Sequence, residues 1–513
     1  MEIFSQKAPL PSGLLPKSYK CAIFIDNIIT GVIMQGSKSL ENRLFYQITL
    51  DSLVPFDHIV RQLAKIIDIG WVRPATEQYY SNTGKPSVDP VVIAKMMIIG
   101  FLYNISSERQ LMREIQVNLA YRWYLGYDLD EDIPDHSVLS KARRRLGQSF
   151  FEQLFDSVLQ LCRQAGLIDG SNVLIDSTLV KGNASIESMT ALKYSPAQYF
   201  QQLDANVEST QKANELGSTR PRENRLCDCK YSTTDTDATY TRKGKTTVLG
   251  YKTHICADSD NGVITAVTAT TAAADDTSAV PQLLDKHSKA LDKVPERMVA
   301  DGAYGSQDCL GYVQNRGIET VIKKRCGGNK HGGYDKSLFA YDSAKDVFIC
   351  PAGMELKRIG ADIKRNKVHY RGDVQRCLCC VQRAACLGEK TTAKARSITR
   401  FNTPYEACAQ AACSSTLGRK LLKLRHTLLE GLFGEGKNYH GLGRSKWRGL
   451  CNMQIQSLLV ATVLNLKKLL KYTLKAAETT AMPSKAVLEL SRKFLLLAEI
   501  LRFYPAVNQE MNC

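Results

Sequence analysis

Apolar side chains recur at helical spacing between Gly84 and Gly166, and polar or glycine-containing boundaries divide this run into segments. The spacing predicts four helices in succession. The first opens at Asp89 and Pro90, because proline suits the first turn of a helix and aspartate caps its N-terminus. The second begins at Ser106 or Ser107, the third begins near Asp135 to Ser137 and ends at Gly147, and the fourth closes at Gly166.

From Val173 onward the apolar runs become short and favour strands. Val173 to Ile175 lead into Asp176, and a second short run before Asp301 has the same form. Two further runs, 248–258 and 263–271, are separated by Ser-Asp-Asn-Gly, which is a hairpin signal. A helix capped by Asp276 or Thr277 follows this hairpin, and another helix and a strand follow Asp301. The order is therefore strand, hairpin of two strands, helix, strand, helix, strand.

This order is that of an α/β fold with a ribonuclease-H-like mixed sheet flanked by helices, in which the first and fourth strands are adjacent and parallel. We expect their ends to place Asp176 and Asp301 side by side. A late helix crossing the sheet would add Glu430, which lies in an apolar helical stretch after Ser415. The gaps between the three acids are 125 and 129 residues, so each must contain an insertion.

Each acid alone also has an ordinary structural explanation. An aspartate after a strand is commonly a turn former or a helix cap. A glutamate on a helix commonly faces solvent. Glu435 competes with Glu430 for the third position, although Glu430 and Lys437 are seven residues apart and so share one helix face. The case for a site depends on the order of the elements.

The second insertion is basic and rich in cysteine. Residues 323–400 contain 18 Lys and Arg against 7 Asp and Glu, a balance of +11. A tetrahedral zinc site is one interpretation of the cysteines, since Cys377 and Cys380 have the spacing of a zinc knuckle. Cys379 competes as a ligand, and a set of unligated buried cysteines is the alternative. The predicted ligands are Cys350, Cys377, Cys380 and Cys386.

Charge and composition narrow the class of protein. The 513 residues exceed one ordinary core, so two or more domains are expected. A net charge of +17 favours a polyanionic partner, with nucleic acid as the first candidate.

The longest apolar run, from Val91, is too short to span a membrane and contains Lys95. The N-terminus lacks the features of a signal peptide, so a cytoplasmic location is expected.

Two groups of basic residues are candidate DNA contacts. An arginine triplet ends the third predicted helix, as in compact helical DNA-binding units. Basic residues after Glu430 are candidates for binding a DNA phosphate close to the three acids. A solvated basic face is the alternative for both groups. The candidates are Arg143, Arg144, Arg145, Lys437, His440 and Arg444.

These observations predict a chain of several parts. They are an N-terminal extension over 1–75, a helical DNA-binding domain over 76–165, a ribonuclease-H-like catalytic core over 166–322 and 416–475, a polar insertion within that core over 190–247, a basic cysteine-rich insertion over 323–415, and a C-terminal helix over 476–513.

Several short motifs resemble those of the DDE transposases of bacterial insertion sequences. They are Asp-Ser-Thr at Asp176, Gly-Tyr-Lys-Thr-His at 250–254, Ala-Asp-Gly-Ala-Tyr-Gly-Ser around Asp301, and the segment 430–450 that starts at Glu430. The cysteine cluster resembles the zinc-ribbon-like insertion of some members. The resemblance covers about 84–470. It departs at one point, because His426 stands where members often have arginine, with Arg425 beside it.

The resemblance implies that Asp176, Asp301 and Glu430 bind Mg²⁺ or Mn²⁺, with Lys437 as a further catalytic residue. Two such ions ~3.5–4 Å apart activate the attacking water and stabilise the leaving 3′ oxygen when a phosphodiester is cut. The expected function is cleavage of the ends of a mobile element and their transfer to target DNA. The expected partners are double-stranded DNA and a second copy of the chain, at the bacterial nucleoid. The alternatives are a nuclease of the same fold without strand transfer, and a non-catalytic DNA-binding derivative of a transposase.

Overall fold

A computed structural model gives the fold and describes residues 48–479 apart from 82, 84–86, 192–229, 244–245, 324–332, 363–366, 389–391 and 402–404. Most of the predicted N-terminal extension, most of the polar insertion and nearly all of the predicted C-terminal helix lie outside the described residues.

The N-terminal part of the described chain is helical. Its helices are α1 (Leu50–Leu53), α2 (Ile59–Ile66), α3 (Val72–Thr76), α4 (Pro90–Leu102), α5 (Glu108–Val117), α6 (Leu119–Leu125) and α7 (Ser137–Gln164). This unit begins earlier than the predicted boundary at residue 76. Helix α2 is amphipathic and buries Val60 and Leu63 in the same core as α4, so it belongs to the unit and not to an extension.

Local sequence explains how these helices begin and bend. The Asp89 side chain accepts a hydrogen bond from the Val91 N–H and caps α4, whose first residue is proline, as predicted. Ser107 caps α5 in the same way. Gly147, at φ 67°, breaks α7 where the sequence predicts the end of one helix and the start of the next. Ten of the 13 residues of α4 are buried, so it is a core helix. None of the described helices is long and apolar enough to cross a membrane.

Six of the first eight strands form the central sheet: β1 (Asn172–Lys181), β4 (Thr239–Lys243), β5 (Thr246–Asp258), β6 (Ile264–Thr271), β7 (Arg297–Ala300) and β8 (Glu319–Ile322). The other two strands, β2 (Met189–Ala191) and β3 (Lys230–Ser232), pair with each other in a separate short sheet. Strands β6, β5, β1, β7 and β8 lie side by side in that order, and β4 pairs with β5. Strand β1 is antiparallel to β5 and parallel to β7. This confirms the ribonuclease-H-like mixed sheet, with its first and fourth strands adjacent and parallel.

Both faces of β1 are covered. Leu174 packs into the core that includes the N-terminal helices, whereas Val173 and Ile175 pack into a second core with α8 (Val280–Leu291) and α9 (Gln307–Gln314). Alternate residues of a strand point to opposite faces, so this division follows from the strand itself. Continuous burial of three successive apolar residues is typical of an internal strand, as the sequence predicts.

The cysteine-rich insertion forms its own antiparallel sheet. Its strands are β9 (Ala340–Asp342), β10 (Val347–Ile349), β11 (Glu355–Asp362), β12 (Lys367–Gly372) and β13 (Ser397–Phe401), in the order β13–β12–β11–β10–β9. The short helices α10 (Val374–Leu378) and α11 (Arg383–Leu387) join β12 to β13. A small separate core, including Phe348, Leu356 and Tyr370, lies under this sheet.

Three helices complete the described chain: α12 (Tyr405–Ser414), α13 (Thr416–Tyr439) and α14 (Leu450–Thr479). Helix α13 packs against β1, β7 and β8, so the late helix crosses the sheet as predicted. Helix α14 packs against α7 and β6. These contacts join the last helices to both the sheet and the N-terminal helical unit.

Candidate active site

Asp176 lies within β1, just beyond the point where pairing with β7 stops at Leu174. The sequence suggests a carboxylate near the strand end, but pairing with β5 carries β1 on to Lys181. The Asp176 carboxylate accepts a hydrogen bond from the Arg425 guanidinium at 2.7 Å and another from the Ser177 N–H at 2.8 Å. Burial raises the pKa of Asp176, and Arg425 acts against that rise.

Asp301 directly follows β7 and faces the same region. Its side chain accepts a hydrogen bond from the Ala303 N–H at 2.9 Å and caps a short turn, Gly302–Tyr304. Its charge contributes to the raised pKa of Asp176, after burial and against the opposing effects of Arg425 and the Ser177 N–H. The structure therefore brings these two predicted acids together, next to adjacent parallel strands.

Tyr304 lies within electrostatic range of both Asp176 and Asp301. Its side chain is fully buried, and burial raises its pKa well above the ordinary value. The charges of Asp176, Asp276 and Asp301 raise this pKa further. A phenol surrounded in this way stays neutral and offers a hydrogen-bonding group among carboxylates.

Asp276 was not among the predicted site residues. It accepts a hydrogen bond from the Ser177 hydroxyl at 2.9 Å and pairs with the Lys252 ammonium at 2.9 Å. Ser177 follows Asp176 in the strand and so points to the other face of the sheet. Asp276 therefore supports β1 through Ser177, the residue next to Asp176. Lys252 and His254 are two residues apart in β5, so both point to the same face of the sheet. This spacing is the sequence signal from which a polar face could have been predicted there.

His254 lies directly opposite Ser177 in the register and is fully buried. Burial lowers its pKa to about 4, although Asp276 acts against this. One ring nitrogen, Nε2, lies 2.8 Å from the Thr270 hydroxyl. The imidazole is therefore neutral at pH 7 and belongs to the packed support of the site.

Glu430 does not join the two aspartates in this structure. Its side chain is 69% exposed and pairs with His426 Nδ1 at 2.9 Å. Arg425, five residues earlier, points to Asp176 instead, and five residues turn a helix by about 140°. The buried face of α13 includes Leu421, Leu429 and Leu432, and Glu430 lies on the other side. Among the described residues, no three His, Cys, Asp or Glu side chains are grouped to hold a metal ion.

The basic residues after Glu430 have different environments. Lys437 is half-buried, and Arg444 is exposed beside the end of β1, where its backbone bridges Lys181. His440 was predicted to contact DNA, but that prediction is wrong. Its side chain is 2% exposed, its Nδ1 lies 3.0 Å from the Phe101 carbonyl, and its Nε2 lies 3.1 Å from the Lys467 ammonium.

The arginine triplet is divided between core and surface. Arg143 is buried, is paired with Glu108 and stacks 3.8 Å from the Trp447 ring centroid, so it cannot reach DNA as predicted. Arg144 and Arg145 are exposed, and Arg145 lies over the Tyr80 ring at 4.8 Å. Successive residues point in different directions around a helix, which explains why one triplet serves two purposes.

The four predicted zinc ligands occupy one region of the insertion. Burial raises the pKa of Cys386, Arg396 opposes the rise, and the thiols of Cys350, Cys377 and Cys380 add to it. Cys350 Sγ also accepts a hydrogen bond from the Met354 N–H at 3.3 Å. Cys379, the competing ligand, is exposed. The thiols of Cys350, Cys377 and Cys380 therefore lie within electrostatic range of Cys386, although the four are not grouped as metal ligands within the described part of the chain.

Two family models match the chain at separate places. One, described as "Transposase domain (DUF772)", covers residues 48–145, which is most of the N-terminal helical unit. The other, described as "Transposase DDE domain", covers residues 349–470, from the insertion to α14. Both models describe transposases, and the second describes their DDE domain, so the matches support a DDE transposase. DDE transposases are a family of polynucleotidyl transferases and nucleases, and the second match contains Glu430, whereas Asp176 and Asp301 precede it.

Other comparisons of this transposase are distant. No curated protein matches it. A solved piggyBac transposase synaptic complex with hairpin DNA is 9% identical, with 88% of this chain and 84% of that chain covered and a TM-score of 0.28. The Mos1 strand transfer complex is 10% identical, with 69% and 78% covered and a TM-score of 0.15. The fold assignment stands on the strand order and directions of the central sheet.

Proposed function

We propose that the chain binds the ends of an insertion sequence, cuts the DNA there in a Mg²⁺-dependent reaction, and transfers the ends to target DNA. One observation carries the proposal: two carboxylates, Asp176 and Asp301, follow the paired stretch of adjacent parallel strands in a ribonuclease-H-like sheet and lie within electrostatic range of each other. The reaction would take place on the bacterial nucleoid in the cytoplasm. It would need at least two copies of the chain, because two DNA ends are processed together.

Asp176 and Asp301 suit a hard divalent cation, because Mg²⁺ and Mn²⁺ prefer oxygen ligands. When bound, such ions activate the attacking water and stabilise the leaving 3′ oxygen. The residues themselves support this use of the site. Asp176 already attracts a cation, the Arg425 guanidinium, at 2.7 Å. Burial raises the pKa of Asp176 and the charge of Asp301 adds to the rise, and a bound cation would act against both effects.

Glu430 is the proposed third acid, and its position indicates that α13 must rearrange. Of the two glutamates on α13 that compete for this role, Glu435 is already paired with Lys467 and lies near His440. Glu430 is the more available, since only the exposed His426 contacts it in an ion pair among the described residues. Release of Arg425 from Asp176 would free the helix to turn. We infer that the structure represents a resting arrangement.

Three basic side chains are proposed to contact DNA phosphates. Arg144 and Arg145 are exposed on α7, and Arg444 is exposed near the end of β1. Guanidinium groups suit phosphate, which accepts two parallel hydrogen bonds from them. Lys437 is proposed to act close to the cut, because it lies two helical turns from Glu430 on one face of α13.

The cysteine-rich insertion is proposed to hold one zinc ion through Cys350, Cys377, Cys380 and Cys386. A thiolate prefers a soft or borderline cation, and one such ion would offset the effect that the three neighbouring thiols have on Cys386. The N–H contact to Cys350 Sγ supports its role as a ligand. Elemental analysis of the purified protein tests this directly: about one zinc per chain is expected, and its absence would exclude the site.

A plasmid assay tests the proposed catalytic residues. We expect purified protein to nick or linearise plasmid DNA carrying the element ends when Mg²⁺ is present. Asp176→Asn, Asp301→Asn and Glu430→Gln should each reduce cleavage by at least about 100-fold, because each would remove a charged ligand. The matched control is Asp285→Asn, which changes an exposed aspartate paired with Arg316 away from the site.

Cleavage that persists in the Asp176 and Asp301 variants would refute the site. A second reaction with a pre-cut 3′ end and target DNA measures strand transfer. Transfer is the expected result, whereas cleavage without transfer would identify a nuclease of the same fold. DNA binding without either reaction would identify a non-catalytic derivative.

A further inference from the structure

The sheet of the cysteine-rich insertion has two chemically different faces. Its inner face buries Leu356, Val368, Tyr370 and Ile398 in the small core. Residues directly opposite one another across paired strands share a face, and alternate residues along a strand change face. The register of β12 with β13, and with Lys357 of β11, therefore defines the outer face, although β11 has an irregularity between Arg358 and Gly360.

The outer face is basic. Lys367, His369 and Arg371 alternate with the buried Val368 and Tyr370 along β12. Ser397 and Thr399 lie opposite Arg371 and His369 on β13. On the other side of β12, β11 places Lys357 directly opposite Arg371 and Asp362 opposite Lys367. We call the set Lys357, Lys367, His369 and Arg371 the outer basic face.

Lys357 and Arg371 form an unfavourable pair. Like charges directly opposite each other on neighbouring strands repel. Both side chains are exposed, and neither has an ion-pair partner among the residues that the structure describes. Asp362 offsets charge only at the Lys367 end. A bound anion would offset the repulsion between these two side chains, whereas the repulsion itself contributes nothing favourable to folding.

The same face contains an open depression of about 350 Å³. Lys336, Lys367, His369, Arg396 and Thr399 are among the residues that line it. Arg396 is fixed in place, because its guanidinium donates to the Cys386 carbonyl at 3.2 Å and the Tyr334 carbonyl at 2.7 Å. These contacts hold a positive charge at the edge of the depression and tie it to the cysteine cluster.

The charge of the whole chain points to the same segment. Residues 323–400 carry a balance of +11 out of a net +17 for the chain, although they are only 78 of its 513 residues. The solvent-exposed surface of an ordinary domain mixes positively and negatively charged side chains. Concentrating the excess on one small domain favours contact with a polyanion.

We propose that the outer basic face binds the phosphodiester backbone of duplex DNA. This rests on the proposed function, since that function supplies DNA as the substrate, but it adds a second contact surface on a different sheet from Asp176 and Asp301. Lysine and arginine side chains on a strand face would contact phosphates and not base edges. The binding is therefore expected to be largely independent of DNA sequence. The cysteine cluster would hold this surface in shape.

A salt-dependence measurement tests the proposal. The double variant Lys357→Gln/Arg371→Gln is compared with Arg163→Gln/Lys289→Gln, which removes the same charge from exposed positions on α7 and α8. Binding to duplex DNA of unrelated sequence is measured over a series of salt concentrations with EDTA present. EDTA and an Asp176→Asn background keep the DNA uncut, so the result is independent of cleavage.

The outer-face variant should bind about tenfold more weakly near 0.1 M salt, and the slope of log affinity against log salt should fall by about 2. The control variant should keep the full slope. The thermal midpoint of the outer-face variant should stay unchanged or rise, because the repulsive pair is gone.

Equal losses in both variants would show that only net charge matters and would overturn the proposal. Unchanged binding in the outer-face variant would overturn it as well, with the proposed cleavage function intact. Conversely, normal plasmid cleavage by the Asp176 and Asp301 variants would refute the proposed active site but leave this surface standing.

Discussion

At the scale of single residues, the pairing of Asp176 with Arg425 is the most informative contact in the site. Both side chains are mostly buried, at 25% and 15% exposed, and they lie 2.7 Å apart. Removing water from two charges costs free energy that a close partner offsets only in part. The guanidinium therefore stabilises a carboxylate that would otherwise be buried alone, and it does so in the position where a metal ion would be needed.

Arg425→Gln should reduce the free energy of unfolding by about 2–4 kcal/mol at pH 7, because it leaves a buried carboxylate unpaired. The pKa of Asp176, already raised, should rise further. The loss should fade as pH falls through the raised pKa of Asp176 in the folded state, above the ordinary value of 3.8, since the carboxyl is then protonated with or without Arg425. Denaturant unfolding at several pH values measures this.

The double variant Asp176→Asn/Arg425→Gln is the control and should lose less stability than Arg425→Gln alone. Saturating Mg²⁺ should raise the thermal midpoint of Arg425→Gln more than that of the unmodified protein, because no side-chain cation competes for the carboxylates. An equal rise in both proteins would contradict the view that Arg425 occupies the cation position.

At the scale of elements, the segment before α14 joins the helical unit to the catalytic sheet. The Trp447 indole N–H donates to Glu108 at 3.1 Å, and Arg143 stacks on the same ring. The Lys446 ammonium donates to the Ile105 carbonyl at 2.6 Å, and burial lowers its pKa to about 8. These contacts show that part of the most recognisable sequence motif serves docking between elements.

Two neighbouring arginines on α7 should therefore behave differently. Arg143→Ala should cost about 2–4 kcal/mol of unfolding free energy, since Glu108 would be left without its buried partner. Arg144→Ala should change stability by less than about 0.5 kcal/mol but weaken DNA binding, because its side chain is exposed. Thermal unfolding and a DNA-binding titration on both variants separate the roles. Equal stability losses would contradict this division.

The elements were more predictable from the sequence than the directions of their side chains. Short apolar runs and the hairpin signal before Gly262 predicted the strand order, and the strand ends predicted Asp176 and Asp301 together. Glu430 could not be placed, because its direction depends on which face of α13 packs on the sheet. Spacing alone could not distinguish Arg143 from Arg144, since burial of one depends on Trp447, which is distant in the chain.

At the scale of the whole molecule, the protein combines a ribonuclease-H-like sheet that carries Asp176 and Asp301 with excess positive charge located elsewhere. Residues 323–400 carry a balance of +11, and the described strands of this segment form a sheet separate from the one that carries Asp176. Under the proposed function, separation of this kind would let DNA be held by its backbone while the acids act on one bond. It explains why composition predicted DNA binding but could not locate it.

Anomalous diffraction from crystals grown with Mn²⁺ tests the central claim most directly, since Mn²⁺ replaces Mg²⁺ at oxygen sites and is visible by its scattering. The account predicts a manganese peak within about 2.0–2.3 Å of carboxylate oxygens of both Asp176 and Asp301, with Arg425 displaced from Asp176. A well-ordered site with Arg425 still bound to Asp176 and no manganese between the two aspartates at saturating Mn²⁺ would contradict it.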